Sequence, residues 1–533
     1  MKKLFVLVLA CIMSCSVMAI DIWDGSSEPW TNGTGTAEDP YLIETAAHLA
    51  YLAEKVNEGY QAQGMEVFAG VHFLMTDDFD LDNLNWTPIG NANMSMQGFY
   101  FVGVFDGWYH NIDHLRIQSD ADATALFAGL GGDGVIQRLS VTNGNITSTG
   151  TGVSGIVCGM SGNSMVYQCS FSGTISVTNS GSYCGGGGIV GACMEYAQII
   201  ECSFHGSITA TNNGGFMGAA GAGGIVGAAL DNTSIQSCYS TGDVLGNATM
   251  LSAAAGIVGT TLQDNNVKVN GCYNVGSLNA FTKGGIFGMV SPINPFKGET
   301  SLEVTNCYYL NTCGGTNSYG TSMSADEMKS EQFKDELDHG THTFVMGDSI
   351  NEGYPIHSLV DLGYLQTTDL TCHSAKLSAR IHQGNDTIAR AYFLFRAWGE
   401  EEWIEFDVPT EGDVEVELHG LEPETFYEYG LELMFADSII KSANLGSFYT
   451  LVYDALEDQS QTLTIYPNPA TDFVTIQGVM VSEVQVFNLK GQLVKTVRGS
   501  NEVDVTDLPE SVYSLRIIDG FGETFSVIIV KAN

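Results

Sequence analysis

Positive charge is the scarcest commodity in this chain. Only 20 of its 533 residues are Lys or Arg, against 61 Asp or Glu, for a formal net charge of −41. Nucleic acids and anionic membrane surfaces are held by basic patches, so both are poor partners for such a chain. Between Thr149 and Phe296 the only bases are Lys268 and Lys283. A lyase acting on acidic sugars would want Arg or Lys to stabilise its enolate-like intermediate, and this stretch offers few. Long apolar runs are also missing: the one at Leu4 to Met13 is short for a membrane span. Neither H-E-x-x-H nor G-x-S-x-G occurs, which removes two protease signatures. C-x-x-C is absent and the histidines do not accompany the cysteines at ligand spacings, which argues against zinc. Helix-forming stretches are few.

What is present is glycine, 63 residues of it, with turn residues throughout. A chain of 533 residues is too long for one core, so several mostly β domains are expected. The N-terminus has the layout of an export signal: Lys2 and Lys3, the apolar Leu4 to Met13, then the small-residue site Val17-Met18-Ala19. Cys11 after Val8-Leu9-Ala10 offers a lipoprotein alternative, but that would leave almost no polar spacer. Removing the signal leaves ten of the twelve cysteines.

A repeat organises the middle of the chain. The blocks Gly155-Ile156-Val157, Gly188-Ile189-Val190, Gly224-Ile225-Val226, Gly256-Ile257-Val258 and Gly285-Ile286-Phe287 start 33, 36, 32 and 29 residues apart (188−155, 224−188, 256−224, 285−256). A cysteine follows each: Cys169, Cys202, Cys238, Cys272 and Cys307. Glycine lies four residues beyond the first four of these (Gly173, Gly206, Gly242, Gly276) and an aliphatic six beyond (Ile175, Ile208, Val244, Leu278). Even offsets put these side chains on one face of a strand. A period of this size with strand-type alternation predicts stacked β units that bury a shared core. Stacked cysteines would lie roughly 4.8 Å apart, and their parallel Cβ vectors suit a thiol ladder better than a bridge. Cys158, Cys184 and Cys193 could pair among themselves, and Cys307 with Cys313 is the best local disulfide candidate.

Outside the repeat, Thr45 should cap a helix over Ala46 to Asn57 that closes the open end of the stack. Strands are expected at Val71 to Met75, Trp86 to Ile89 and Phe99 to Phe105, and Leu126 to Val141 looks like a diverged first repeat. A short helix is expected over Ala325 to Leu337. Further strands fall at Ala375 to Ile381, Ala391 to Ala397, Val414 to Leu418 and Tyr427 to Phe435. An acidic linker follows, then five strands from Phe473 to Val530.

Three resemblances attach to particular residues. Gly35-Thr36-Ala37-Glu38-Asp39-Pro40-Tyr41-Leu42-Ile43, Asp77-Asp78-Phe79-Asp80-Leu81, Trp86-Thr87-Pro88-Ile89-Gly90, Gly103-x-Phe105-Asp106-Gly107 and the Gly-Ile-Val blocks together resemble bacterial surface proteins carrying the GLUG motif, over residues 33 to 357. That resemblance implies a right-handed parallel β-helix with a capping module, and no single activity. Leu421-x-Pro423-x-Thr425-x-Tyr427, with Trp403 upstream, resembles fibronectin type III, where the tyrosine is a corner element. Tyr466-Pro467-Asn468-Pro469, Phe487-Asn488-x-x-Gly491 and Leu508-Pro509-x-x-x-Tyr513-x-Leu515-x-Ile517 resemble the type A sorting domain of the type IX secretion system. Ser511 departs from that pattern, where Gly usually precedes the Val-Tyr pair. This resemblance implies passage through the outer membrane of a Bacteroidota-type cell.

Candidate chemistry is thin. The run Asp77-Asp78-x-Asp80-x-Asp82 has oxygens for calcium but lacks the glycine and closing glutamate of an EF-hand loop, so a solvated turn is the preferred reading. Trp86, Phe99, Tyr100, Trp108 and Tyr109 could stack on sugars, but closing the apolar core is preferred. The lone histidines His72, His110, His114 and His205 read as surface or packing residues.

The expected architecture is all-β: a right-handed parallel β-helix followed by two β-sandwich domains. Its divisions are 1–19 (signal peptide), 20–145 (N-terminal cap and first coils), 146–310 (repeat β-helix), 311–365 (C-terminal cap or strap), 366–452 (fibronectin type III-like sandwich), 453–461 (linker) and 462–533 (sorting domain). The expected function is that of an extracellular or outer-membrane-surface, non-catalytic adhesin-like protein binding glycan or protein. The alternative is a carbohydrate-active hydrolase or lyase. The expected partners are the type IX machinery and glycans or host or other extracellular proteins, with no nucleic acid and no transmembrane segment in the mature chain. No catalytic, metal or cofactor residue is assigned, and no ligand-binding residue. Tyr466, Pro467, Asn468, Pro469, Gly491 and Tyr513 are assigned to the secretion signal, and Cys169, Cys202, Cys238, Cys272 and Cys307 to the structural repeat.

Overall fold

The computed structural model describes residues 20–532 except 38, 61, 94–95, 215–217, 250, 262–265, 291–301, 339–342, 348, 364, 436–438, 442–445, 452–463, 478–480, 489, 491 and 520–523. The signal segment 1–19, the linker 453–461 and Gly491 therefore lie outside the described residues. Strand makes up 52% of the chain and helix 5%, so the fold is all-β. The chain divides into two compact units. Among the described residues, one holds 20–362 with 381–388 and the other 363–380 with 389–532.

The first unit is a parallel β-solenoid of about seven turns. Its four parallel sheets contain 13, 9, 8 and 6 strands. Register follows the sequence repeat. Strand Ser170–Asn179 pairs with Ser203–Asn212 residue for residue, Ser170 opposite Ser203 through Asn179 opposite Asn212. The aliphatic blocks stack as Val157, Val190, Val226, Val258 and Phe287. The diverged first repeat is in the same register, with Phe127 opposite Val157 and Ile136 opposite Val166. Side chains alternate as the offsets predict: Cys169, Phe171, Ile175 and Val177 are buried within one continuous core that runs the length of the stack. Gly173 and Gly206 lie opposite each other in neighbouring coils at φ +145° and +152°, outside the buried core, where a Cβ on Gly206 would fall 2.0 Å from the Gly173 carbonyl oxygen.

Helix α1 (Ala46–Asn57) forms where its periodicity places it, capped by the Thr45 hydroxyl accepting from the His48 N–H. Leu49, Leu52 and Val56 enter the solenoid core, so the helix closes the apolar end of the stack. Trp86 to Ile89 is not a strand. It makes isolated bridges only, Asn85 to Arg116 and Ile89 to Phe127. Trp86 is buried edge-on against Trp23 instead. The expected helix over Ala325 to Leu337 is two pieces, α2 (Ala325–Met328) and α3 (Glu331–Asp338).

All ten cysteines from Cys158 onward are buried thiols. In the ladder each thiol reaches the carbonyl two residues before it at 3.1–3.4 Å. The candidate Cys307–Cys313 bridge is not formed: the Cys307 sulfur faces the Thr305 carbonyl inside the ladder, and the Cys313 sulfur accepts from the Gly315 N–H.

The second unit holds strands Gln366–Thr368 and Gly412–His419 and the Ser374 to Arg380 part of strand Ser374–His382, which belong to one sheet. Strands Arg390–Ala397, Ile404–Val408, Phe426–Met434, Ile439–Lys441 and Gly446–Tyr449 form an antiparallel sheet. The Tyr427 hydroxyl accepts from the Glu422 N–H at 2.9 Å, the corner role its sequence position implies. The C-terminal residues form a three-stranded and a four-stranded antiparallel sheet around a core of Val474, Ile476, Val484, Val486, Leu515 and Ile517.

Candidate functional site

The residue before each ladder position turns a corner. Arg138, Gln168, Glu201, Ser237, Gly271 and Asn306 all adopt positive φ, between 49° and 63°. That left-handed bend points the corner side chain outward, and it costs a non-glycine residue free energy that the stack must supply. Glu201, Ser203 and His205 then fall on one outward face by alternation.

A strap covers this column. Strand Pro355–His357 pairs with Phe344–Met346. His357 Nε2 lies 2.7 Å from the Ser237 carbonyl oxygen, and the Asp361 carboxylate meets the Arg138 guanidinium. From Ser237 to Arg138 is three coil steps, roughly 14 Å at ~4.8 Å each, which four residues cover only when nearly extended. Arg138 is buried and also holds Asp106, with its guanidinium carbon 4.1 Å from the Trp108 ring centroid. Burial opposes its charge, but Asp106 and Asp361 outweigh that and hold it charged. The Tyr109 ring stacks on His382 at 3.8 Å, and its hydroxyl sits between Gln168 Oε1 and Asp361 Oδ2. Burial and Asp361 keep that phenol protonated.

Beside the clamp is a hollow of about 480 Å³. Its floor carries Gln168, Glu201, Ser203, His205 and Tyr239, and its wall Leu359, His382 and Asn385. Glu201 Oε2 accepts from Gln168 Nε2 at 2.7 Å. Burial, opposed by that bond and reinforced by Asp361, raises the Glu201 carboxyl above the usual range. Burial lowers His205 to about 4, with its Nδ1 2.9 Å from Thr241 Oγ1. Burial also lowers His357 to about 4.

Among the described residues one side-chain group has the spacing of a cation site: Asp80, Asp113 and His114, with ligating atoms within 4.8 Å of one another. They satisfy each other. His114 Nδ1 is 2.9 Å from Asp80 Oδ1 and 3.4 Å from Asp113 Oδ2, and the Asp80 bond raises the imidazole pKa. Asp78 accepts from the Asn111 N–H of the next coil and pairs with His110, so the acidic run acts as an inter-coil turn.

The candidate secretion residues lie in the last domain. Asn468 accepts from the Val530 N–H at 2.8 Å and donates to the Ile528 carbonyl at 3.0 Å, pinning the final strand. The Tyr466-Pro467 and Asn468-Pro469 peptides are cis. Tyr513 is buried and its hydroxyl donates to the Pro509 carbonyl. Ser511 begins a strand and pairs with Lys531.

Sequence reasoning missed the clamp and the hollow. Position before the ladder cysteine was available as a signal for Gln168 and Glu201, and for Arg138 at the leucine that precedes the series. Nothing in the sequence brings Asp361 or His382 to those corners.

Residues 464–531 match the family model described as the secretion system C-terminal sorting domain. A stretch of 163 residues is 31% identical to a Gly-rich membrane protein of Evansella cellulosilytica, covering 28% of this chain and 17% of that protein. A stretch of 169 residues is 28% identical to halomucin of Haloquadratum walsbyi, covering 30% of this chain and 2% of that protein. The chain thus spans less than a fifth of either relative. Among solved structures, a two-domain fibronectin type III segment of chicken tenascin is similar at 19% identity, covering 32% of this chain and 99% of that one with a TM-score of 0.19. A sensor domain of the anti-sigma factor RsgI4 of Pseudobacteroides cellulosolvens is similar at 16% identity, covering 18% and 96% with a TM-score of 0.15.

The fold and tail define the class: a secreted or cell-surface protein built on a β-solenoid scaffold and carrying a type IX sorting domain. That domain implies interaction with the secretion machinery. No helix among the described residues is long and apolar enough to cross a membrane.

Proposed function

We propose that this is a non-catalytic, adhesin-like binding protein, displayed or released by the type IX system, whose solenoid presents glycan- or protein-binding groups on its long-strand face. The GLUG-like repeat and the fibronectin-like unit belong to this reading, as do the domain divisions expected from the sequence. The observation that carries it is how the carboxylates near the hollow are spent. Asp106 and Asp361 are both committed to Arg138, and Asp361 also accepts from the Leu362 N–H. Glu201 has one oxygen, Oε2, bonded to Gln168. An inverting glycosidase needs two working carboxyls with room for water between them. Here Gln168 and Tyr109 link Glu201 to Asp361.

A hydrolase is the second reading, favoured by the raised Glu201 carboxyl, the property of a general acid. A glycan and host-matrix binding array on the secreted chain, run beside a polysaccharide-degradation screen, separates the two. Binding without cleavage is expected, and cleavage of any polymer would sink the binding reading.

A further inference from the structure

We infer that the hollow over Gln168, Glu201 and His205 takes an uncharged or amino-bearing sugar unit of a glycan, with Glu201 accepting its hydroxyl or ammonium hydrogens. This rests on the binding reading above and names its ligand class and site.

Charge selects the class. Arg138, the cation of this column, is neutralised by two carboxylates, so it has nothing to offer an acidic ligand. His205 and His357 are held neutral by burial well below neutral pH. Glu201 remains as the titrating group of the floor, and its neighbours Asp361 and Asp338 oppose further negative charge there. Among the described residues, a uronate or sulfate entering this space would meet the Glu201 carboxyl while the Arg138 guanidinium is already paired with Asp106 and Asp361, at a cost that grows as water is displaced. A hydroxyl or an ammonium is a donor, and a desolvated carboxylate is the acceptor it pairs with best.

Geometry selects the size and the contacts. About 480 Å³ lies within the range of small-molecule sites and suits a short sugar segment. Glu201, Ser203 and His205 alternate along one edge of the floor, so their polar atoms line up on the pitch of a strand. His205 Nδ1 is occupied by Thr241, which leaves Nε2 as the nitrogen for a ligand. Asn385 donates its Nδ2 to the His357 carbonyl at 2.8 Å, which leaves its Oδ1 for the ligand. Leu359 and the exposed Ile350 at the rim offer apolar surface to the C–H face of a ring.

The test is isothermal titration of the full secreted chain with four soluble probes: glucosamine oligomers, neutral β-glucan oligomers, oligogalacturonate and sulfated dextran. The first or second should bind, and the acidic pair should not. Glu201→Gln keeps the bond to Gln168 and the shape, and should weaken binding at least tenfold. His205→Phe keeps the ring against Tyr239 and should weaken it severalfold. Independently of any variant, carbodiimide labelling of Glu201, read by peptide mass spectrometry, should slow when the sugar is bound. If a sugar binds but both folded variants bind as tightly as the parent and labelling is unaffected, the site is elsewhere; the hollow inference falls while the binding reading stands. Tighter binding of an acidic probe also overturns it. Binding to none of the four probes overturns the hollow inference, and binding to no arrayed glycan or matrix protein overturns both.

Discussion

His357 is buried against Tyr239 and Phe344, with Nε2 at the Ser237 carbonyl and His205 as its titrating neighbour. Its folded value of about 4 lies below the ordinary 6.5. The unfolded chain therefore binds more protons between those values, so the neutral side chain contributes its full stability above pH 6.5 and loses it as pH falls toward 4. The shift corresponds to about 3 kcal/mol at most. The protection factors of the strap amides, which correct for the intrinsic slowing of exchange in acid, should fall from pH 7 to pH 4.5, and His357→Asn should flatten that dependence. A slope unchanged by the substitution would place the sensitivity elsewhere. The thiols give a second check at this scale. All ten described cysteines are buried, and burial raises Cys158 and Cys193 to about 12, so thiolate is scarce. Intact protein should resist alkylation. Denatured without reductant, it should take up ten alkyl groups, and eight or fewer would reveal a bridge.

At the scale of elements, the cross-coil contacts decide which changes are tolerated. Gly206→Ala puts a Cβ 2.0 Å from the Gly173 carbonyl oxygen at a φ that L side chains rarely adopt. Backbone cannot yield here without disturbing the coil beneath, so a loss of about 2–3 kcal/mol is expected in chemical denaturation. The clamp offers a sharper test. Arg138→Met leaves Asp106 and Asp361 without their cation, and breaking a buried pair from one side costs about 3–5 kcal/mol. Asp361→Asn on that background should cost much less than it does alone, and a double-mutant cycle showing additive effects would dissolve the clamp. These elements also mark how far the sequence could be read. The coil register follows from Gly, Ile, Val and Cys recurring at even offsets, because alternation fixes which face is buried. Helix α1 follows from Thr45 and the spacing of Leu49, Leu52 and Val56. The clamp does not, because Asp361 lies 223 residues from Arg138 and is brought there by a strap without periodicity. Trp86 reads as strand locally, yet the Trp23 contact decides its place.

At the scale of the whole molecule, a scaffold that presents outward side chains is useful only once it is outside, and the tail supplies the address. Its core is closed by Val474, Val484, Leu515 and Ile517, while Tyr466, Phe473, Leu493, Ile528 and Val530 stay exposed. Ile528 and Val530 share a face of the last strand, next to the Asn468 clip. Ile528 and Val530 thus place two apolar side chains side by side in water, and contiguous apolar surface of this kind is what a partner covers. Deleting residues 464–531 should therefore strand the protein in the periplasm. Deletion alone does not separate a lost address from a misfolded tail. Ile528→Asp and Leu493→Asp change exposed positions, so the purified tail should keep its unfolding midpoint while the fraction reaching the surface or medium drops. Asn468→Ala should do the reverse in order, loosening the final strand first and lowering export as a consequence. Normal surface display of the deletion would refute the address, and normal display of both aspartate variants would place recognition on other residues of the tail.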